Sequence, residues 1–414
     1  MNQVELQLLY ALKAFMKQEP AEIALESLED WMELYKLSMQ HSIFPIVYDV
    51  LYGSFMTLDM PKDSLMGLQR GAMMEIVQQA QKTRRFLDLY KELNKGNIKA
   101  LVVKGLICRN IYPKSDCRIS GDEDLYIREE QFQECHESFL NKGMIVIDGD
   151  MEKGQVVTYG CPQTGLHIEL HRKLFSEESK AYGKLNRAFD HVFDHAIQIK
   201  IDGTSLWTME ESEHMLYLIF HSFKHFLHSG FGIRQVCDIG RFAEAYGQKI
   251  DWAFIKEQTK SFRADIFAVN LFEIGRNYLK FSYEAGGELY QFMNEYKEVI
   301  DCDELLNDIF SAGIYGKSSE SRVHSSLITL SAVSDEGGSK SGNVLRAIFP
   351  SASELKGRYA FLEKAPILLP AAWVHRLVVY LTRQRGQKDN SMMESIEIGN
   401  HRVEIMKKYK IIKE

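Results

Sequence analysis

Over residues 3–95 apolar positions recur at helical spacing. Val4, Leu8, Leu12 and Phe15 make one stripe, and few turn signals interrupt the region. It reads as helical. Residues 64–96 read as one long helix, with Arg84, Arg85 and Lys91 on polar positions. At about residue 96 the pattern changes. Lys99 to Lys104 is a short apolar run, Ala-Leu-Val-Val between lysines, which suits a buried strand. Residues 105–111 read as a helix and Tyr112 to Gly121 as a loop containing Pro113 and Ser115. Asp122 to Arg128 reads as a strand, and residues 129–142 as a helix stopped by Gly143. Met144 to Ile147, Gln155 to Tyr159 and Leu166 to Arg172 read as further strands.

Helical periodicity returns from Glu210 to about Leu330. Asp335 to Asn343 is rich in glycine and serine and reads as a linker. Residues 344–414 again look helical, with a buried helix starting after Pro370. The expected organisation is a helical region over 1–95, an α/β domain over 96–205 and a helical domain over 206–335. A linker at 336–343 and a C-terminal helical region over 344–414 complete it. The fold class expected is α+β: a small mixed-sheet domain embedded in helical segments.

Composition narrows the partners. The chain has 414 residues, 26% charged and 45% hydrophobic, with a net charge of −7. Those values are ordinary for a soluble globular protein and argue against one built to coat nucleic acid. Six cysteines show no Cys-x-x-Cys spacing and read as reduced thiols of a cytoplasmic protein. Met1 to Gln18 lacks the uninterrupted apolar core of a signal peptide. Ala365 to Leu381 is broken by two prolines, His375 and Arg376, so no membrane span is expected.

The most chemical stretch is Arg118-Ile-Ser-Gly-Asp-Glu-Asp-Leu-Tyr-Ile127. Side chains alternate faces along a strand, so Asp122 and Asp124 point one way while Leu125 and Ile127 point toward a core. Neighbouring carboxylates repel, and divalent ions commonly offset that repulsion. Further on, Gly165-Leu-His-Ile-Glu-Leu-His171 places His167, Glu169 and His171 on one strand face. If the two strands lie side by side, Glu169 joins Asp122 and Asp124. Three carboxylates can hold two Mg²⁺ or Mn²⁺ ions about 3.5–4 Å apart, an arrangement suited to in-line phosphoryl displacement.

Three segments resemble the nucleotidyltransferase fold of the DNA polymerase beta superfamily, and more narrowly a group of uncharacterised bacterial nucleotidyltransferases. They are Val103-Lys104-Gly105 with Tyr112-Pro113, Arg118-x-Ser120-x-Asp122-x-Asp124, and Ile168-Glu169-Leu170-His171. His221-Ser-Phe-Lys224-His225, Ile233-Arg234 with Asp238-Ile239, and Leu369 to Arg376 are also similar to that group. The resemblance implies transfer of a nucleoside monophosphate from an NTP to a hydroxyl or phosphate acceptor, releasing pyrophosphate. It implies Asp122, Asp124 and Glu169 as catalytic residues and ligands of two Mg²⁺ or Mn²⁺ ions. It implies triphosphate contacts from Lys104, Arg118 and Ser120, with Gly105 letting the backbone approach the phosphates. The resemblance leaves the acceptor open: a small molecule, RNA or protein. The sequence departs from the superfamily in having Lys104-Gly105 where Gly-Ser or Gly-Gly is usual, and Glu123 where an apolar residue is common.

His171, His221, Lys224, His225 and Arg234 are the candidates for acceptor contact or for supporting the carboxylates. His214, His221, His225 and His228 fall on one helical stripe. Two rival functions stay open. One is a nucleotide-binding regulatory protein that kept the fold and lost catalysis. The other is a zinc-dependent hydrolase using His221 and His225, although Ser222 breaks the His-Glu-x-x-His pattern. A P-loop and a Gly-x-Ser-x-Gly elbow are absent from the sequence.

Overall fold

The computed structural model describes residues 1–412 except Glu22, Glu26, 57–60, Ala285, 314–318, 335–354, 356–358, 360 and 376–391. The expected linker at 336–343 and much of the expected C-terminal helical region lie outside the described residues. The chain forms two compact units. The first comprises Met1–His221 and Ile233–Asp303; the second comprises Ser222–Gly232 and Glu304–Glu414.

The first unit opens with four helices: α1 (Gln3–Lys17), α2 (Leu28–Gln40), α3 (Phe44–Met56) and α4 (Lys62–Lys95). A capping box starts α1: Asn2 Oδ1 accepts the Glu5 N–H at 2.8 Å and the Asn2 N–H donates to Glu5 Oε2 at 2.7 Å. The predicted stripe Val4, Leu8, Leu12 and Phe15 is buried. Along α4 a stripe including Ala72, Gln79, Phe86, Tyr90 and Leu93 faces inward. Tyr90 fastens this helix to the sheet. Its hydroxyl donates to Ala100 O at 2.6 Å and accepts the Trp207 N–H at 2.9 Å.

Seven strands form one mixed sheet: β1 (Leu101–Val103), β2 (Glu123–Tyr126), β3 (Ile145–Asp148), β4 (Val156–Cys161), β5 (Leu166–His171), β6 (Ile197–Ile201) and β7 (Thr204–Thr208). Their order is β3-β4-β5-β2-β1-β7-β6. With the surrounding helices this is an α+β fold. The central strands carry an apolar core: Leu101, Val102, Val103, Leu125, Ile168 and Leu170 are buried. Removing one such side chain from water contributes about 1.5–3 kcal/mol. Between β1 and β2 lies the short helix α5 (Gly105–Arg109), and α6 (Glu129–Asn141) follows β2.

The hairpin β6–β7 is a finding that the sequence reading passed over. Its signal was present: Ile197, Ile199 and Ile201 alternate with Gln198 and Lys200, and Asp202-Gly203 follows. Both turn residues have positive φ, 44° and 76°, as a tight hairpin turn requires. β7 pairs in parallel with β1 at Val102 and Thr208, so the sheet extends to Thr208.

After the short helix α7 (Val192–His195) and this hairpin come α8 (Glu211–Leu227) and α9 (Ile233–Tyr246), then α10 (Trp252–Ser261), α11 (Asp265–Asn277) and α12 (Glu288–Glu295). In the second unit, Asp308 is buried between Arg322 Nη2 at 2.6 Å and Arg402 Nε at 3.2 Å. Arg402 Nη1 also donates to His228 O at 2.6 Å. Residues 369–375 are helical there.

Candidate active site

Strand pairing brings the acids together. β2 runs parallel to β5 with Asp124 opposite Glu169 and Tyr126 opposite His171. β1 runs antiparallel to β2 with Val103 opposite Asp124. Lys104, the next residue, therefore ends β1 beside Asp124. Its Nζ lies 2.6 Å from Asp124 Oδ2. His171 Nε2 lies 3.1 Å from Asp124 Oδ1 and 3.3 Å from Glu169 Oε2.

These contacts set the protonation states. Burial raises the Asp124 carboxyl, but Lys104 and then His171 override it and hold Asp124 below the usual carboxylate range. Burial lowers the His171 imidazole, yet its contacts with Asp124 and Glu169 raise it to about 9. His171 is then cationic at neutral pH, and its Nε2–H donates to Asp124; its buried Nδ1 has no partner. Asp122 is pushed up, first by burial and then by Asp124 and Glu169.

Lys104 is held by its backbone as well. It sits at φ 61°, a conformation that costs a non-glycine residue energy. Its N–H donates to His214 Nε2 at 3.1 Å. His214 Nδ1 lies 3.3 Å from Thr208 Oγ1, whose hydroxyl donates to Val102 O at 2.7 Å. Burial pushes His214 down to about 3, so it is neutral, and the chain of donors fixes its proton on Nδ1. His221, one further residue of the stripe, places Nε2 3.4 Å from Lys104 Nζ.

The other face of β2 is occupied by Glu123. Its Oε2 accepts the Leu106 N–H at 2.8 Å, and its Oε1 accepts from Arg109 Nη2 at 2.5 Å. A Cβ on Gly105 would lie 2.2 Å from Glu123 Oε2. Gly105 is therefore the residue that lets Glu123 close onto α5. The departure at Glu123 thus has a structural role: its carboxylate satisfies an otherwise orphan N–H at the start of this helix.

Arg118 and Ser120 are placed differently from Lys104. Arg118 is buried and faces Asp238, with Nε to Oδ1 at 3.0 Å and Nη2 to Oδ2 at 2.5 Å. Tyr112 Oη donates to the same Asp238 Oδ1 at 2.7 Å. Ser120 Oγ accepts from Arg109 at 2.6 Å and Arg118 at 3.2 Å, and its N–H donates to Gln79 Oε1 at 2.8 Å. Arg234 donates through Nη1 to Ile119 O. Burial and the neighbouring Arg118 lower it, while Asp238 and Asp122 oppose them. Its buried Nε has no partner. Lys224 and His225 belong to the second unit.

Asp124, Glu169 and His171 each bring one ligand atom to within 4.8 Å of the others, and no other such group of three occurs among the described residues. Two carboxylates from adjacent strands suit a hard divalent cation. Lys104 and His171 supply the compensating charge in this state, so the donors fit such an ion where Lys104 yields Asp124 Oδ2. Asp122 stands beside this group, outside its tight core. Sequence reasoning passed over Arg109 and gave no site role to His214, Glu123 or Asp238; a buried charge finds its partner through long-range packing, which local pattern does not reveal.

No curated protein matches the chain. A crystal structure of an antigenic nucleotidyltransferase-like protein from Paracoccidioides brasiliensis is similar at 12% identity, over 49% of this chain and 93% of that one, with a TM-score of 0.32. Among the described residues no helix is long and apolar enough to cross a membrane. The family described as uncharacterised nucleotidyltransferase matches residues 27–279, more than half of the chain. The chain belongs to that uncharacterised nucleotidyltransferase family.

Proposed function

We propose that this protein is an enzyme that transfers a nucleoside monophosphate from an NTP to a hydroxyl or phosphate acceptor. The acceptor oxygen bonds to the α-phosphorus, the α–β phosphoanhydride bond breaks, and pyrophosphate leaves with the electron pair. One observation carries this function: Asp124 and Glu169 are register partners on adjacent strands, with the Lys104 ammonium at their edge.

Asp124 and Glu169, with Asp122 beside them, would hold two Mg²⁺ or Mn²⁺ ions. Such ions neutralise triphosphate charge and lower the pKa of an acceptor hydroxyl. The remaining tasks fall to the chain. Glu169, whose side chain is 35% exposed, would receive the acceptor proton. His171 orients both carboxylates through Nε2. Lys104 and the uncommitted donors of Arg234 would contact the phosphates. Arg118 and Ser120 act behind them by fixing the loop that carries Asp122.

Calorimetry with Mg²⁺ or Mn²⁺ and each NTP tests this. Wild type is expected to bind at least one NTP, and Asp122→Ala/Asp124→Ala and the more exposed Glu169→Gln are expected to lose it. Equal binding in all three folded proteins would refute the assignment. A second reading, a nucleotide-binding regulatory protein without catalysis, is favoured by Glu123 filling the start of α5. Pyrophosphate release measured against sugars, aminoglycosides, tRNA and protein acceptors separates the two.

A further inference from the structure

A cavity of about 410 Å³ lies beside α5, within the first unit. Neither Lys104 nor any of Asp122, Asp124 and Glu169 lines it. Its walls are one side of α4, the α5 helix, the turn at Ser115–Cys117 and the Asp202 end of the β6–β7 hairpin.

The wall carries three kinds of group. Arg84, Lys91 and Arg109 are cations. Arg109 is fully buried; Nη1 and Nη2 donate to Ser120 and Glu123, while Nε is buried with no partner. Arg84 is exposed on α4. Lys91 Nζ is 2.9 Å from Asp88, but both side chains are half-exposed. Such surface pairs contribute less than about 1 kcal/mol, so Lys91 is free to turn to an anion. Asp116 and Asp202 supply acceptors, and burial raises the Asp116 carboxyl. Leu87, Leu106 and Ile201 supply apolar wall.

Clustered cations recognise phosphate. Carboxylates accept hydrogen bonds from a sugar diol. A planar base covers aliphatic surface. Ligand pockets start at about 300 Å³, so the volume suits a mononucleotide. We propose that this cavity is a second nucleotide site, binding a ribonucleoside monophosphate. The phosphate faces Arg84 and Lys91, the ribose hydroxyls face Asp116 and Asp202, and the base lies on Leu87, Leu106 and Ile201. The site stands independently of the transfer reaction. Arg109 lies in the cavity wall and holds Glu123 at the start of α5.

The test is calorimetry on the full chain with AMP, GMP, CMP and UMP, in chelator without divalent metal. At least one is expected to bind wild type and Glu169→Gln with similar affinity. Arg84→Glu/Lys91→Glu alters only surface positions and is expected to weaken binding at least about tenfold, as loss of charge-assisted contacts should. The 2′,3′-dideoxy analogue is expected to bind more weakly than its parent. Absence of binding by all four nucleotides overturns the proposal. So does loss of binding in Glu169→Gln, or unchanged binding in a folded Arg84→Glu/Lys91→Glu variant.

Discussion

Glu123 accepts the backbone N–H of Leu106 at 2.8 Å from the face of β2 opposite Asp124. One strand therefore presents a structural acid on one side and a chemical acid on the other. Arg109 balances the first and Lys104 with His171 balances the second. The two systems meet at the junction of Lys104 and Gly105. Disturbing the structural side should be felt on the chemical side.

Gly105→Ala tests that junction. The added Cβ meets Glu123 Oε2 at 2.2 Å, and the carboxylate is pinned by Arg109. Overpacking of this kind should cost on the order of 3 kcal/mol. Urea unfolding is expected to show the loss, and NTP binding should weaken in parallel. Wild-type stability in Gly105→Ala would contradict the packing described.

Arg118 and Arg234 should separate by assay. Arg118→Ala leaves Asp238 buried without its guanidinium, at a cost of about 3–5 kcal/mol. Arg234→Ala removes the bond to Ile119 O, worth about 1 kcal/mol. Arg234→Ala is expected to keep most of its stability and lose NTP affinity. The reverse pattern would place the phosphate contact on Arg118.

Lys104→Met should split metal from nucleotide. The ammonium now occupies Asp124 Oδ2 at 2.6 Å. Removing it frees a carboxylate oxygen, so Mn²⁺ should bind more tightly. NTP should bind about tenfold more weakly, as loss of one charge-assisted contact implies. Titration followed by electron paramagnetic resonance of Mn²⁺ reads the first effect and calorimetry the second. Parallel changes in both would argue against a role for Lys104 at the phosphates.

Acid should unfold the first unit partly through His214. Its pKa of about 3 lies below the 6.5 of an unperturbed histidine. The unfolded chain therefore takes up the proton first. The stability from burying neutral His214 is complete above 6.5 and is lost as pH falls toward 3. The slope contributed is up to about 1.4 kcal/mol per pH unit. Urea unfolding from neutral pH downward should show it, and His214→Gln should flatten it. Equal slopes would mean that His214 is not buried neutral.

Much of the site was legible in the chain. Alternation in Asp122 to Ile127 and in Leu166 to His171 put the acids on one face and the apolar residues on the other. That pattern is local, because strand side chains alternate whatever the strand pairs with. The hairpin at Ile197 to Thr208 was equally legible, in its alternating isoleucines and Asp202-Gly203 turn. The pairing of Arg118 with Asp238 was not legible, because the two lie 120 residues apart and only packing joins them.

The sequence by itself determined which residues carry charge, which strand faces they share and where glycine stands. Only the tertiary structure decided which charges are spent. Burial forces each buried ion to find an opposite one, and the partner depends on which elements pack together. So Glu123 and Arg118 are held in the framework, while Lys104, Asp124, Glu169 and His171 converge across the central strands β1, β2 and β5 of the sheet.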